Sequence, residues 1–183
     1  MGDGIITVTL EGDDMATGLL LVRLVFGLLM AAHGSQKIFG WFGGYGLTGT
    51  GTFLEQLGFR PGRLFAAAAG WTEFLGGMLV AVGFGGPVGP ALMVSVMIVA
   101  AMSVHWGHGL FAATNGIEIP LLYAASAAAL AFTGPGRYSV DALFGLTSMW
   151  TTATAGIALG LAALAAIANL AARQSAVPSS VHA

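Results

Sequence analysis

The sequence predicts an all-α protein of the membrane: a polytopic four-helix bundle with an additional C-terminal transmembrane helix. Three observations carry this reading. Hydrophobic residues make up 56% of the 183 residues and charged residues 8%, where a soluble domain carries about 25% charge, so there is too little polar material to coat a water-facing surface. Five apolar stretches, at 15–39, 64–84, 88–106, 117–132 and 149–171, each come near the ~20 residues that cross a bilayer. The ionisable groups that interrupt the first stretch also share a face. On a helix turning about 100° per residue, Lys37 falls about 40° and His33 about 80° from Arg23. A charge near the bilayer centre costs roughly 3 kcal/mol or more, so that face turns toward other helices or a wet cavity.

The same composition disfavours disorder, a collagen-like chain and nucleic-acid binding. A net charge of -2 points to no class of partner beyond membrane lipid. With no cysteine, the chain cannot itself exchange disulfides, hold a thiolate-bound iron–sulfur cluster or acylate through sulfur.

Residues 1–14 carry Asp3, Glu11, Asp13 and Asp14 and read as a polar N-terminal tail, with Asp14 or Thr17 capping the first helix. A cleaved signal would open with basic residues, and none is present, so stretch 15–39 is kept as a span. Gly85-Gly86-Pro87 makes the second and third stretches a tight hairpin. The fourth is short, and Pro120 suits its first turn. The fifth, within 147–172, is Ala-rich and uncharged, and Gly156-x-x-x-Gly160 lets another helix approach closely, within the chain or in an oligomer. Residues 173–183, rich in Ser with Pro and Val, read as a disordered tail.

The loop at 40–62 is unusually rich in glycine and aromatics. Gly44, Gly46 and Gly49 formally fit a dinucleotide fingerprint, but no strand precedes them and no βαβ unit surrounds them. Thr52-Phe-Leu-Glu55 reads as a capping box that starts a short interfacial helix. Trp41, Phe42 and Tyr45 on bendable glycines suit a lid, or equally an interfacial anchor.

An odd number of spans puts the termini on opposite sides. Lys37, Arg60, Arg63 and Arg173 then share one side, and Arg23 and Arg137 the other; the richer side is cytoplasmic, with the N-terminus outside and the C-terminus inside. This places the protein in the plasma or inner membrane. It also sets His33 and Lys37, near the end of the first span, level with His105 and His108 near the end of the third, and with Glu118 at the start of the fourth. Glu73 lies about 13 Å into the second span, between Gly70 and Gly77 on its own face. A carboxylate there sits where backbones pack tightly and calls for a cation from a neighbouring helix.

Each of these residues has a plainer reading. Glu73 pairs with Arg23, Lys37 or a histidine. Asn115 and Glu118 have capping-box spacing. His105 and His108, beside Trp106, suit a hydrated aromatic belt. No carboxylate at matched spacing completes a metal site with them, so neither metal nor haem is assigned. Arg137 and Asp141 belong to an interfacial turn, with Ser139 as a helix cap.

Residues 23–46, Gly70-Trp-Thr-Glu73-Phe-Leu-Gly-Gly77, residues 105–120 and Gly134-Pro-Gly-Arg-Tyr-Ser-Val-Asp141 together resemble the DoxX family of small bacterial and archaeal membrane proteins, over about 15–146. The resemblance implies a four-helix domain related to quinone-reducing thiosulfate enzymes, and to a membrane subunit associated with superoxide dismutase and a sulfurtransferase in oxidative-stress defence. The matched positions are Arg23, His33, Lys37, Glu73, His105 and Glu118.

Two functions stand. In the first, the chain is a membrane subunit of a quinone-linked redox system, a quinone-dependent oxidoreductase whose electrons come from a partner protein, a second subunit or a substrate. His33, Lys37, Glu73 and His105 do the proton and charge chemistry, while Arg23, Trp41, Tyr45, His108 and Glu118 bind the quinone. In the second, it is a non-catalytic scaffold or a small-molecule or lipid carrier, and the charges lock the helices together.

Overall fold

The computed structural model describes residues 3–174, all of them helix, turn or loop. The helices are α1 (Asp3–Ile38), α2 (Gly46–Gln56), α3 (Gly62–Val82), α4 (Val88–Ala100), α5 (Glu118–Thr133), α6 (Val140–Leu143) and α7 (Thr152–Ala171). After Ala100, α4 runs on through a π turn (Ala101–His105) and a 3-10 turn (Trp106–His108). Four segments are long and apolar enough to span a membrane: Asp13–Ile38, Gly62–Val82, Val88–His108 and Thr152–Ala171. The chain is thus a polytopic helical membrane protein. The remaining apolar helix, α5, has 16 residues and is about 24 Å long, shorter than the other four.

Two ends of the bundle are held by different contacts. At one end, Glu55 Oε1 accepts from Gly62 N at 2.8 Å, Gln174 N donates to Gly58 O at 2.8 Å, and the Arg173 guanidinium donates to the Leu57 carbonyl. At the other, the fully buried Asp141 accepts from Gly85 N at 3.0 Å and Gly86 N at 2.7 Å, tying α6 to the α3–α4 turn. Gly85 and Gly86 both have positive φ, which lets their N–H groups point at one carboxylate. The long helices α1, α3, α4, α5 and α7 therefore alternate in direction.

The closest packing is between α1 and α3. A Cβ on Gly77 would lie 2.5 Å from Ala31 N and one on Gly27 would lie 2.6 Å from Ala81 N, while Gly34 meets the backbone of Phe74 and Gly70. Glycines seven apart on both helices bring the two backbones into contact, where attraction between helices in lipid is strongest. Between α1, α3, α4 and α5 lies a core of Met30, Val80, Met93, Val96, Met97, Tyr123, Ala127 and Leu130. Leu21, Val25, Leu28, Leu75 and Met78, with Ile157, Leu164 and Ile167 of α7, face outward, as side chains bathed in lipid do.

Several local expectations are corrected. Residues 3–14 continue α1 and form no separate tail, and Thr17 caps nothing: its hydroxyl donates to Asp13 O one turn back. The helix at α2 begins at Gly46, ahead of the supposed Thr52 and Glu55 capping box; Thr52 bonds back to Thr48 O, and Glu55 reaches forward to α3. Ser139 does cap α6, accepting from Ala142 N at 3.1 Å. α7 packs on α4 through Ala155, Ala162 and Ala166, whereas a Cβ at Gly156 or Gly160 would meet nothing among the described residues. Within 173–183, Arg173 and Gln174 are tied to the α2–α3 corner; residues 175–183 lie outside the described ones.

Candidate functional site

Lys37 ends the polar face of α1 and Glu73 sits midway along α3, about 17 Å from its start. Their side chains meet, Lys37 Nζ lying 2.5 Å from Glu73 Oε2. The sequence builds this pair through the glycines: Gly34 on α1 and Gly70 on α3 bring the helices close enough for a lysine stem to lie along the crossing. The Glu73 side chain is 3% exposed and that of Lys37 30%. The carboxylate is thus inside the bundle, and the ammonium reaches outward from it.

Lys37 also lines a half-open cavity of about 610 Å³ bounded by the end of α1, the glycine loop and α2, with Gln36, Tyr45, Thr50, Thr52 and Phe53 on its walls. That volume lies in the usual range of small-molecule sites, roughly 300–1,000 Å³. The loop that forms one wall is shaped by Gly40, Gly43 and Gly46 at positive φ, and by Phe42, which adopts a left-handed φ of 52° without being glycine. Gln36 Nε2 holds the loop by donating to Phe42 O at 3.1 Å, and Gly44 lies against the Gln36 backbone.

His33, exposed on α1, and the buried Tyr123 of α5 both lie within electrostatic reach of the carboxylate. The rings of His33 and Tyr123 meet edge to face with centroids 6.1 Å apart, and His33 Nδ1 lies 3.2 Å from Gln36 Oε1. Lys37, Glu73, His33 and Tyr123 therefore form one polar group contributed by α1, α3 and α5. A carboxylate, an imidazole, a phenol and an ammonium together can take up, hold and release protons and can stabilise an anion.

The other residues singled out in the sequence lie elsewhere or do other work. Arg23 shares the α1 face of Lys37 but sits about 21 Å along it, at the opposite end of the bundle. There it is 3% exposed and donates to the carbonyls of Pro135, Ala81 and Tyr138. Helical phase brought Arg23 and Lys37 onto one face; axial distance keeps them apart. His105 Nδ1 lies 2.8 Å from Asn115 O and His108 Nδ1 lies 3.0 Å from Val104 O, and among the described residues no hydrogen bond joins either to Glu73. Glu118 makes no capping box with Asn115: Ile117 is the N-cap, and the Glu118 carboxylate accepts from Ala112 N at 2.7 Å, closing the loop before α5. Trp41 packs on Phe39, 4.7 Å between centroids, in a cluster with Trp71 and Phe74, and does not line the cavity that Tyr45 lines.

Sequence reasoning missed Tyr123, Gln36, Thr50 and Phe53. Tyr123 had a signal: a lone tyrosine within an otherwise apolar span brings a phenol that must find polar company. The cavity-lining residues of α2 had none, because their approach to Lys37 depends on how the loop folds back. Among the described residues no three His, Asp or Glu side chains are placed to hold a metal ion.

No curated protein and no solved structure matches the chain. The model of one family, DoxX, matches residues 18–106. The matched stretch is shorter than the 15–146 over which the motifs suggest a resemblance; it runs from the first turns of the α1 span to Trp106 and leaves α5, α6 and α7 beyond it. It contains Arg23, His33, Lys37, Glu73 and His105, and with them both halves of the buried ion pair. Residues 18–106, just under half of the 183-residue chain, are thus similar to the DoxX family.

Proposed function

We propose that this membrane protein is a subunit of a quinone-linked redox system, of the thiosulfate:quinone or oxidative-stress-defence type, and that the Lys37–Glu73 pair is the heart of its site. The observation that carries the reading is a buried carboxylate joined to a lysine on the wall of a cavity large enough for a quinone ring. A quinone supplies two-electron, two-proton chemistry at two ring oxygens; the electrons come from a partner protein or substrate. The residues present suit such a molecule. Tyr45 and Phe53 offer aromatic surface to a flat ring, and Gln36, Thr50 and Thr52 offer hydrogen bonds to its edge. Lys37 offers an ammonium to an oxygen that gains negative charge. Glu73, ion-paired with that ammonium and within electrostatic reach of His33 and Tyr123, is the group that takes up a proton and passes it on. The match to the DoxX family over residues 18–106 supports this reading, and the basic residues near the α2 end support a cytoplasmic site in the plasma or inner membrane.

The test is purification in mild detergent, solvent extraction and analysis for quinone. Quinone should accompany the wild-type protein and be lost in Glu73→Gln and Lys37→Met variants that keep their helical circular dichroism and elution volume. If folded wild-type protein never yields quinone and binds none added to it, the scaffold reading takes its place, with the ion pair serving to lock α1 to α3.

A further inference from the structure

A second cavity, half open and of about 80 Å³, is lined by Leu54 of α2, Phe59 of the α2–α3 corner, Thr72 of α3, Ser95 of α4 and Asn169 of α7. Three polar side chains from three different helices face it in a region otherwise built of apolar ones. Their hydrogen bonding sets them apart. Ser35, Thr52 and Ser103 each return the hydroxyl proton to the carbonyl one turn back, at 2.8, 3.1 and 2.5 Å, the usual way a helix satisfies such a group. Among the described residues Thr72, Ser95 and Asn169 make no such bond and none with each other. A hydroxyl or an amide left without a partner is costly in a bilayer, and a polar cavity with two to four partners and more than ~15 Å³ per molecule holds water. This one has room for about five.

We infer that this cavity is a hydrated intramembrane site, holding water or an equally small neutral hydrogen-bonding molecule between Thr72, Ser95 and Asn169, and that α7 exists in part to complete it. Asn169 lies one turn before Arg173, whose guanidinium donates to Leu57 O and sits 6.0 Å over the Phe59 ring. The end of α7 and the residues just after it thus supply a polar wall and fasten the α2–α3 corner beside the cavity. This site lies outside the quinone reading and stands or falls independently of it.

The test is radiolytic hydroxyl-radical labelling of the full chain in lipid nanodiscs, read by mass spectrometry. Phe59 lines the cavity and is 1% exposed, so its labelling reports water held against it there, and loss of the label in the polar-to-apolar variant separates that water from bulk radicals. Oxidation of Phe59 in the wild-type protein, lost in a Thr72→Val/Asn169→Leu variant that retains its elution volume and helical circular dichroism, is the expected result. An unlabelled Phe59 in the wild-type protein overturns the inference, as does labelling that persists unchanged in the folded double variant. Should that variant fail to fold, xenon pressure on the wild-type protein decides: xenon entering the cavity marks it as dry and apolar, and its exclusion marks it as occupied.

Discussion

Lys37 and Glu73 meet across a helix crossing in which Gly34 and Gly70 face each other backbone to backbone. The glycines bring the helices close, and the closeness lets a lysine near the end of one helix neutralise a carboxylate in the middle of the next. Attraction between the helices and placement of the charge have a single structural cause.

Removing only the cation exposes that dependence. Lys37→Met leaves Glu73 buried and unpaired, which costs about 3–5 kcal/mol, whereas Lys37→Met with Glu73→Gln leaves no charge and is near neutral. Thermal melting in detergent should rank the double variant well above the single one. Equal melting temperatures would show that the pair carries no coupling.

The glycines of α1 and α3 should behave differently from those of α7. At Gly77 an added methyl meets the Ala31 backbone at 2.5 Å, and neither helix can yield without breaking the crossing, so Gly77→Ala should destabilise by about 1–3 kcal/mol or more. A Cβ at Gly156 or Gly160 meets nothing among the described residues, so alanine there should be neutral or stabilise a monomer by about 0.5–1 kcal/mol through helix propensity. Melting temperatures of the variants check both. If alanine at Gly156 or Gly160 abolishes an oligomer seen by cross-linking, the outward face of α7 is an interface.

Asp141 should matter more than its place in a short surface turn suggests. Its two oxygens accept from Gly85 and Gly86, and Asp141→Ala strands both donors, at about 1–3 kcal/mol each. Arg137, whose partner Asp13 is also exposed to solvent, should tolerate alanine within about 1 kcal/mol. Finding the two variants equally stable would refute the clamp.

Glu118 should prove a loop latch. Glu118→Ala frees Ala112 N and should raise proteolysis of the segment at 109–117, while quinone extracted with the protein stays at the wild-type level. Loss of quinone with an intact loop would return Glu118 to the binding site.

How much of this was legible in the sequence follows from the range of each interaction. Composition and the length of apolar runs determined that the chain is helical and crosses a membrane, because lipid leaves backbone groups no partner outside a helix. The glycines flanking Glu73 showed that this carboxylate sits at a tight crossing, since a seven-residue spacing returns to the same helix face. Ser139 could be read as a cap because capping is local in the chain.

Tertiary structure decided which cation Glu73 meets. Arg23, Lys37 and the histidines were all admissible by helical phase, and only the axial stagger of α1 on α3 selects Lys37 and sends Arg23 to the carbonyls of the opposite end. It also decided the walls of both cavities, the outward turn of Gly156 and Gly160, and the conversion of Glu55, Glu118 and Asp141 from expected caps or turn residues into ties between segments. A sequence fixes the angle at which a side chain leaves its helix; how far two helices slide along each other depends on the packing of the whole bundle.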